Sequence, residues 1–135
     1  QGFESRHNTK YWNGSAYYGF GCSAHSYDGE SQRWANERNV LRYIELAEAG
    51  VATIVERTTL TLVEVRAEAV FLGLRLMRGL NTRQYQNHFG IDLRSEHEVE
   101  LKQFHEAGLI EFEGDVLRLT RSGALLSNEV FAAFV

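Results

Sequence analysis

The run His7-Asn8-Thr9-Lys10-Tyr11-Trp12 places an imidazole, an amide, an ammonium and two large aromatic rings within six residues. In an extended segment His7, Thr9 and Tyr11 share one face, and Asn8, Lys10 and Trp12 share the other. An imidazole flanked by aromatic planes can ligate a metal ion or the iron of a flat macrocycle. A lone histidine is more often simply hydrogen-bonded at a strand end, and residue types alone leave both readings open.

A second group follows in Gly19-Phe20-Gly21-Cys22-Ser23-Ala24-His25. Small residues after a strand let backbone approach a ligand closely, and they suit tight packing at a sheet edge equally well. Cys22 is either an inert small hydrophobe or a soft ligand for iron. His25 either pairs with Asp28, which would fix its tautomer, or faces solvent. Tyr17, Tyr18 and Trp34 are packing residues first and stacking surface second. His7, Cys22 and His25 form a mixed site only in a fold that gathers them. No nucleophile elbow, Walker motif, His-Glu-x-x-His pair or paired-cysteine motif occurs.

The elements that must position these residues change character near Glu37. The first 37 residues are rich in Gly, Ser, Asn and aromatics, whereas from Asn39 onward the pattern is helical with one hairpin. Residues 17–21 read as a strand, 22–30 as a loop and 31–37 as a second strand. Asn39 caps a helix bearing Val40, Leu41, Ile44 and Leu46, and Gly50 stops it. Thr61 and Glu64 form a capping box for a helix to about Arg78, whose apolar stretch 69–77 makes it the expected central helix. Residues 82–89 form a shorter helix ended by Gly90. Ser95 and Glu98 form a second capping box, and Val99, Leu101, Phe104 and Ala107 follow before Gly108. Residues 109–120 alternate on both sides of Gly114 as a hairpin, and Thr120 or Ser122 opens a last helix to Phe134. The expected class is α+β, mainly α. A strand-rich N-terminal segment precedes a winged-helix-like helical unit with one β-hairpin.

Length and charge narrow the function. A chain of 135 residues holds one domain, or a small domain with an extension, and not two full domains. A net charge of -4 supplies no basic footprint for nucleic acid. Helix 96–107, in the recognition position, carries Glu96, Glu98, Glu100 and Glu106 against Lys102, and the hairpin adds Glu111, Glu113 and Asp115 against Arg118. Phosphates would meet carboxylates there, so a docking or structural module is expected before a duplex reader. No window nears the roughly 20 apolar residues of a bilayer span. The start is no signal peptide, so a cytoplasmic protein is expected. A Gln start followed at once by an aromatic segment suggests a piece of a longer protein.

Five stretches, ESRHNTKYW, YYGFGCSAHSY, RWANERNVLRYIELAEAG, AEAVFLGLRLMRGLN and LRLTRSGALLSNEVFAAF, resemble in content and order the C-terminal part of the HemW-type proteins. These are radical S-adenosylmethionine relatives of oxygen-independent coproporphyrinogen III oxidase, and the resemblance runs over nearly the whole chain. It implies that residues 1–37 complete a catalytic barrel domain with its last strands. Residues 38–135 would then be the family's C-terminal helical domain, winged-helix-like, which covers the barrel. It further implies a haem-binding H-N-x-x-Y-W motif of His7, Asn8, Tyr11 and Trp12, with His7 as the metal ligand. Gly19, Gly21, Cys22, Ser23, Ala24 and His25 would lie beside a cofactor pocket, and His25 favours the HemW branch.

The family's 4Fe-4S cluster needs a C-x-x-x-C-x-x-C motif that leaves one iron open for S-adenosylmethionine. This chain has one cysteine. Cluster and S-adenosylmethionine are therefore expected only in the parent protein, and this chain alone is expected to be inactive. The implied partners are the rest of the parent barrel domain, haem or porphyrin, and a haem-accepting protein. Neither nucleic acid nor a transmembrane segment is expected. Two alternatives stand beside haem delivery. One is the pocket-covering domain of an oxygen-independent coproporphyrinogen III oxidase, and the other is a stand-alone winged-helix interaction module.

Overall fold

The run from Ile54 to Thr59, rich in β-branched residues, and the segment around Trp34 build the first of two small sheets. The computed structural model describes residues 15–134, and the chain divides into two units, residues 1–65 and 66–135.

In the first unit, β1 (His25–Tyr27), β2 (Gln32–Asn36) and β3 (Ile54–Thr59) form an antiparallel sheet in the order β1-β2-β3. His25 lies opposite Ala35 and Tyr27 opposite Arg33; Gln32 faces Thr59, and the ladder shifts register between Ala35 and Asn36. The β1–β2 turn is tied by one carboxylate oxygen, Asp28 Oδ1, which accepts the amides of Glu30, Ser31 and Gln32 at 2.8, 2.9 and 3.0 Å. Helix α1 (Val40–Glu48) starts where the Asn39 side chain accepts the Arg42 amide at 3.1 Å and ends before Gly50 at φ 65°. None of its residues is buried; Leu41 is 73% exposed.

Two expectations change here. Residues 17–21 contribute only an isolated bridge, Tyr17 to Tyr27, and the strand lies instead at residues 25–27, inside the expected loop. Strand β3 also interrupts what reads as helical sequence. Ile54, Val55, Thr58 and Thr59 are stiff at χ1 and suit a pleated surface better than a helix.

Helix α2 (Leu62–Arg75) opens with the expected capping box. The Glu64 carboxylate accepts from the Thr61 amide at 2.7 Å and from its hydroxyl at 2.8 Å.

The second unit packs α3 (Thr82–Phe89), α4 (Leu93–Glu96), α5 (Glu98–Glu106), α6 (Arg121–Leu125), α7 (Ser127–Ala132) and the later turns of α2 against a second sheet. That sheet runs β4-β6-β5, from β4 (Leu80–Asn81), β5 (Ile110–Glu113) and β6 (Val116–Leu119). Val70, Leu74, Leu93, Leu101, Ile110, Leu117 and Val130 meet in one core, and each fully buried aliphatic side chain contributes about 1.5–3 kcal/mol. Gly73 permits close approach of α2 to β4, because a Cβ there would stand 2.6 Å from Leu80 Cδ1. A partly buried polar contact links three of the helices. Tyr85 Oη donates to Glu96 Oε2 at 2.8 Å, and Arg66 Nε stands 2.9 Å from Glu96 Oε1. Burial, with the Glu96 carboxylate second, pushes the Tyr85 phenol above its ordinary range.

Three boundaries in this unit differ from expectation. The central helix stops at Arg75 in a turn where Leu76 donates to the Gly73 carbonyl at 3.2 Å, and Met77 beyond it is 94% exposed. The second cap is Asp92, not Ser95. The Ser95 hydroxyl donates to Asp92 Oδ2 at 3.1 Å, and α5 begins after His97 with no side-chain cap. The last helix is two helices with Leu126 between them. Thr120 caps the first by accepting the Gly123 amide at 3.0 Å.

Candidate functional site

The segment from Gly19 to His25 doubles back on the sheet of the first unit, and each of its turns has an identifiable clamp. Gly19 lies so close to β1 that a Cβ would overlap the His25 carbonyl oxygen, and its amide donates to the buried Ser26 hydroxyl at 3.0 Å. Only glycine fits such an approach. Gly21, at φ 102°, and Ser23, at φ 60°, both take the left-handed conformation that turns the chain. A hydrogen bond from the Ala24 amide to the Gly21 carbonyl at 3.3 Å closes the turn.

Asn36 holds this turn from the opposite strand. It is buried, its Nδ2 donates to the Gly21 carbonyl at 2.9 Å, and its own amide donates to the Ala24 carbonyl at 2.9 Å. Its Oδ1 accepts the Thr53 hydroxyl at 3.4 Å. The Ser23 amide donates to the Glu37 carbonyl at 2.9 Å, and the Cys22 thiol lies 3.2 Å from both the Glu37 and Arg38 carbonyls. Asn36 and Glu37 were not among the residues singled out by their chemistry. The one signal is an amide following Trp34 and Ala35 at the end of a strand, where a buried polar group must find partners.

The structure therefore brings Gly19, Gly21, Cys22, Ser23, Ala24 and His25 into one clamped loop. His7, Asn8, Tyr11 and Trp12 lie outside the described residues. His25 is exposed at the first position of β1. Asp28 does not act as its partner, since Oδ1 serves the three turn amides. Those hydrogen bonds, the Glu30 amide foremost, hold the Asp28 carboxyl below its ordinary value. Cys22 offers its S–H to backbone, and among the described residues no group of three His, Cys, Asp or Glu side chains is placed to hold a metal ion. At Gly21 a Cβ would meet nothing within 4 Å, so the outer side of the turn is open. Phe20, 92% exposed, and Tyr18 present aromatic surface beside it. The loop can offer backbone polar groups and flat apolar surface to a ligand or to another part of a protein; it contains no nucleophile with a general base beside it.

Residues 60–126 match the family model of the HemN C-terminal domain. Over 134 residues the chain is 37% identical to the heme chaperone HemW of Bacillus subtilis, a match that covers 99% of this chain and 35% of that protein. Over 129 residues it is 33% identical to the heme chaperone HemW of Mycobacterium tuberculosis, covering 96% of this chain and 31% of that protein. The chain thus spans about a third of the length of these curated relatives. Among solved structures, coproporphyrinogen III oxidase HemN of Escherichia coli, a radical SAM enzyme, shares the fold with a TM-score of 0.70 over 89% of this chain and 28% of that chain, at 18% identity.

Proposed function

From a chain whose residues 60–126 belong to the HemN C-terminal domain family, we propose the C-terminal part of a HemW-like radical S-adenosylmethionine protein that binds haem and delivers it to an acceptor protein in the cytoplasm. The observation that carries this is the 37% identity to a heme chaperone along 99% of the chain. In this reading residues 1–37 finish the barrel domain of the parent protein, and residues 38–135 are the domain that covers it. The order α3, α4, α5, hairpin, with β4 paired to β6, supports a winged-helix relationship for the second part. The aromatic surface of Tyr18 and Phe20 and the exposed apolar side chains of α1 support a packing partner beyond this chain.

The cofactors divide by their fit to the residues. A 4Fe-4S cluster does not fit, because one thiol cannot replace three thiolates and that thiol is turned to two backbone carbonyls. No step through the cluster is assigned to this chain. Haem suits the donor chemistry of His7, whose imidazole would hold the iron, with Asn8, Tyr11 and Trp12 as the rest of the same motif. Gly19, Gly21, Cys22, Ser23, Ala24 and His25 would add a wall to a cofactor pocket.

Titration of the purified chain with haem tests this. A shifted Soret band that is lost in His7→Ala and retained in His25→Ala is the expected result. An identical band and affinity in His7→Ala would remove that ligand. In the intact parent, absence of coproporphyrinogen decarboxylation is expected for a haem-delivery protein, and turnover would reassign it to the oxidase branch.

A further inference from the structure

A second surface, unrelated to the loop above, lies in the second unit between α5 and the β5–β6 hairpin. Arg94, Glu98, Leu101, Lys102, His105 and Phe112 line an open groove of about 260 Å³. Its floor is apolar, formed by the buried Leu101 and the ring of Phe112. Arg94 is fixed at one end. Its guanidinium lies 4.3 Å from the centre of the Phe112 ring and donates to the Gly114 carbonyl at 2.9 Å, which holds one N–H of five and leaves others to offer. Lys102 and His105, one turn apart on α5, flank the floor, and among the described residues neither takes part in an ion pair. The groove holds two permanent cations, Arg94 and Lys102, against one carboxylate, Glu98, in a chain of net charge -4. Around this island stand Glu100 and Glu106 on α5, and Glu111 and Glu113 on β5, the latter two both paired with Arg118.

We infer that this groove binds a short acidic segment of a partner protein, one large apolar side chain set over Leu101 and Phe112 and its flanking carboxylates on Arg94 and Lys102. At about 260 Å³ the groove falls below the roughly 300 to 1,000 Å³ of typical small-molecule clefts. One aromatic or branched side chain matches it. Charge excludes a polyanion such as duplex nucleic acid, whose further phosphates would meet the surrounding carboxylates. An isolated pair of carboxylates beside apolar bulk meets both the island and the floor.

The test is fluorescence polarisation of the whole chain with a labelled Ser-Glu-Phe-Glu-Ser peptide, against Ser-Glu-Ala-Glu-Ser and Ser-Lys-Phe-Lys-Ser. Only the first peptide is expected to bind, more weakly at higher salt. Lys102→Glu, on an exposed side chain that the core does not use, is expected to weaken it about tenfold or more, and Lys102→Arg to preserve it. Phe112→Ala should abolish it, with circular dichroism checking the fold. Equal binding of the three peptides, no binding of the first, or unchanged affinity in Lys102→Glu would overturn the inference. Displacement of the peptide by duplex DNA at equal charge concentration would replace it with a nucleic-acid site.

Discussion

One added methyl at Gly19 probes the geometry of the clamped loop. A Cβ there overlaps the His25 carbonyl oxygen and stands 2.9 Å from Ala24 Cβ and 3.1 Å from the His25 nitrogen. Two of these three are backbone atoms of β1, held opposite Ala35 by the sheet. Relief therefore requires moving a strand or the loop, not the end of a side chain. Overpacking of this kind costs about 1–3 kcal/mol. Displacement also weakens the 3.0 Å bond from the Gly19 amide to Ser26 Oγ, worth about 1 kcal/mol. The reduced freedom of the unfolded chain returns about 0.4–1 kcal/mol. Gly19→Ala is therefore expected to destabilise the first unit by about 2–3 kcal/mol. Two controls separate the contributions. Gly21→Ala meets no atom but must hold φ at 102°, a strain of about 1–2 kcal/mol. Ser26→Ala removes only the hydrogen bond, about 1 kcal/mol. Urea unfolding followed by Trp34 fluorescence in a Trp12→Phe background reports the order. Gly19→Ala within about 0.5 kcal/mol of the parent, the scale of an ordinary surface change, would refute the close approach of loop to strand.

Three further outcomes concern packing and protons. Tyr85→Phe removes the donor to Glu96 and is expected to cost about 1.5–3 kcal/mol in the unfolding of the second unit, the range for a hydrogen bond to a charged group. Because the Tyr85 phenol is raised in the fold, its contribution is present below its ordinary value of 10.0 and lost as pH rises above it. An alkaline decline in the urea midpoint that Tyr85→Phe abolishes is the corresponding measurement. A Cβ on Gly123 would overlap the Leu109 carbonyl oxygen, so Gly123→Ala is expected to cost about 3 kcal/mol or prevent folding, read by thermal melting. At the acid end, Asp28 and Glu64 are both depressed by backbone amides, from ordinary values of 3.8 and 4.5. Their contribution is present above those values and lost as pH falls below them. Asp28→Asn should therefore flatten the acid limb of the urea midpoint between about pH 5 and 2, and an unchanged limb would contradict the turn described for β1–β2.

Helix ends were legible where one residue carried the signal. Asn39, Thr61 with Glu64, Gly90 and the hairpin glycine Gly114 all stand where their side-chain or φ preferences place them. Legibility failed where two residues competed for one role. Ser95 and Asp92 both suit a helix start, and the carboxylate, three residues earlier, takes the hydroxyl as its donor. The glycine-rich segment was recognised by composition, yet its clamp, Asn36, could not be, because its partners Gly21 and Thr53 lie 15 and 17 residues away. Strand β3 is the same case in backbone form. Ile54–Thr59 becomes a strand by pairing with β2, a non-local contact that no local helical period encodes.

Helix α1 has nine residues, a proper cap and no buried side chain. An isolated helix of that length is marginal in water, since its nucleation is unfavourable and few bonds follow it. Its amide protons should therefore exchange with solvent far faster than those of β6, which lies against the apolar core. Val40, Leu41 and Ile44 stand exposed along α1, so a partner packed there would raise the opening free energy of the segment. A body packed on these side chains would slow that exchange, and the rate of the nine amides would report its arrival.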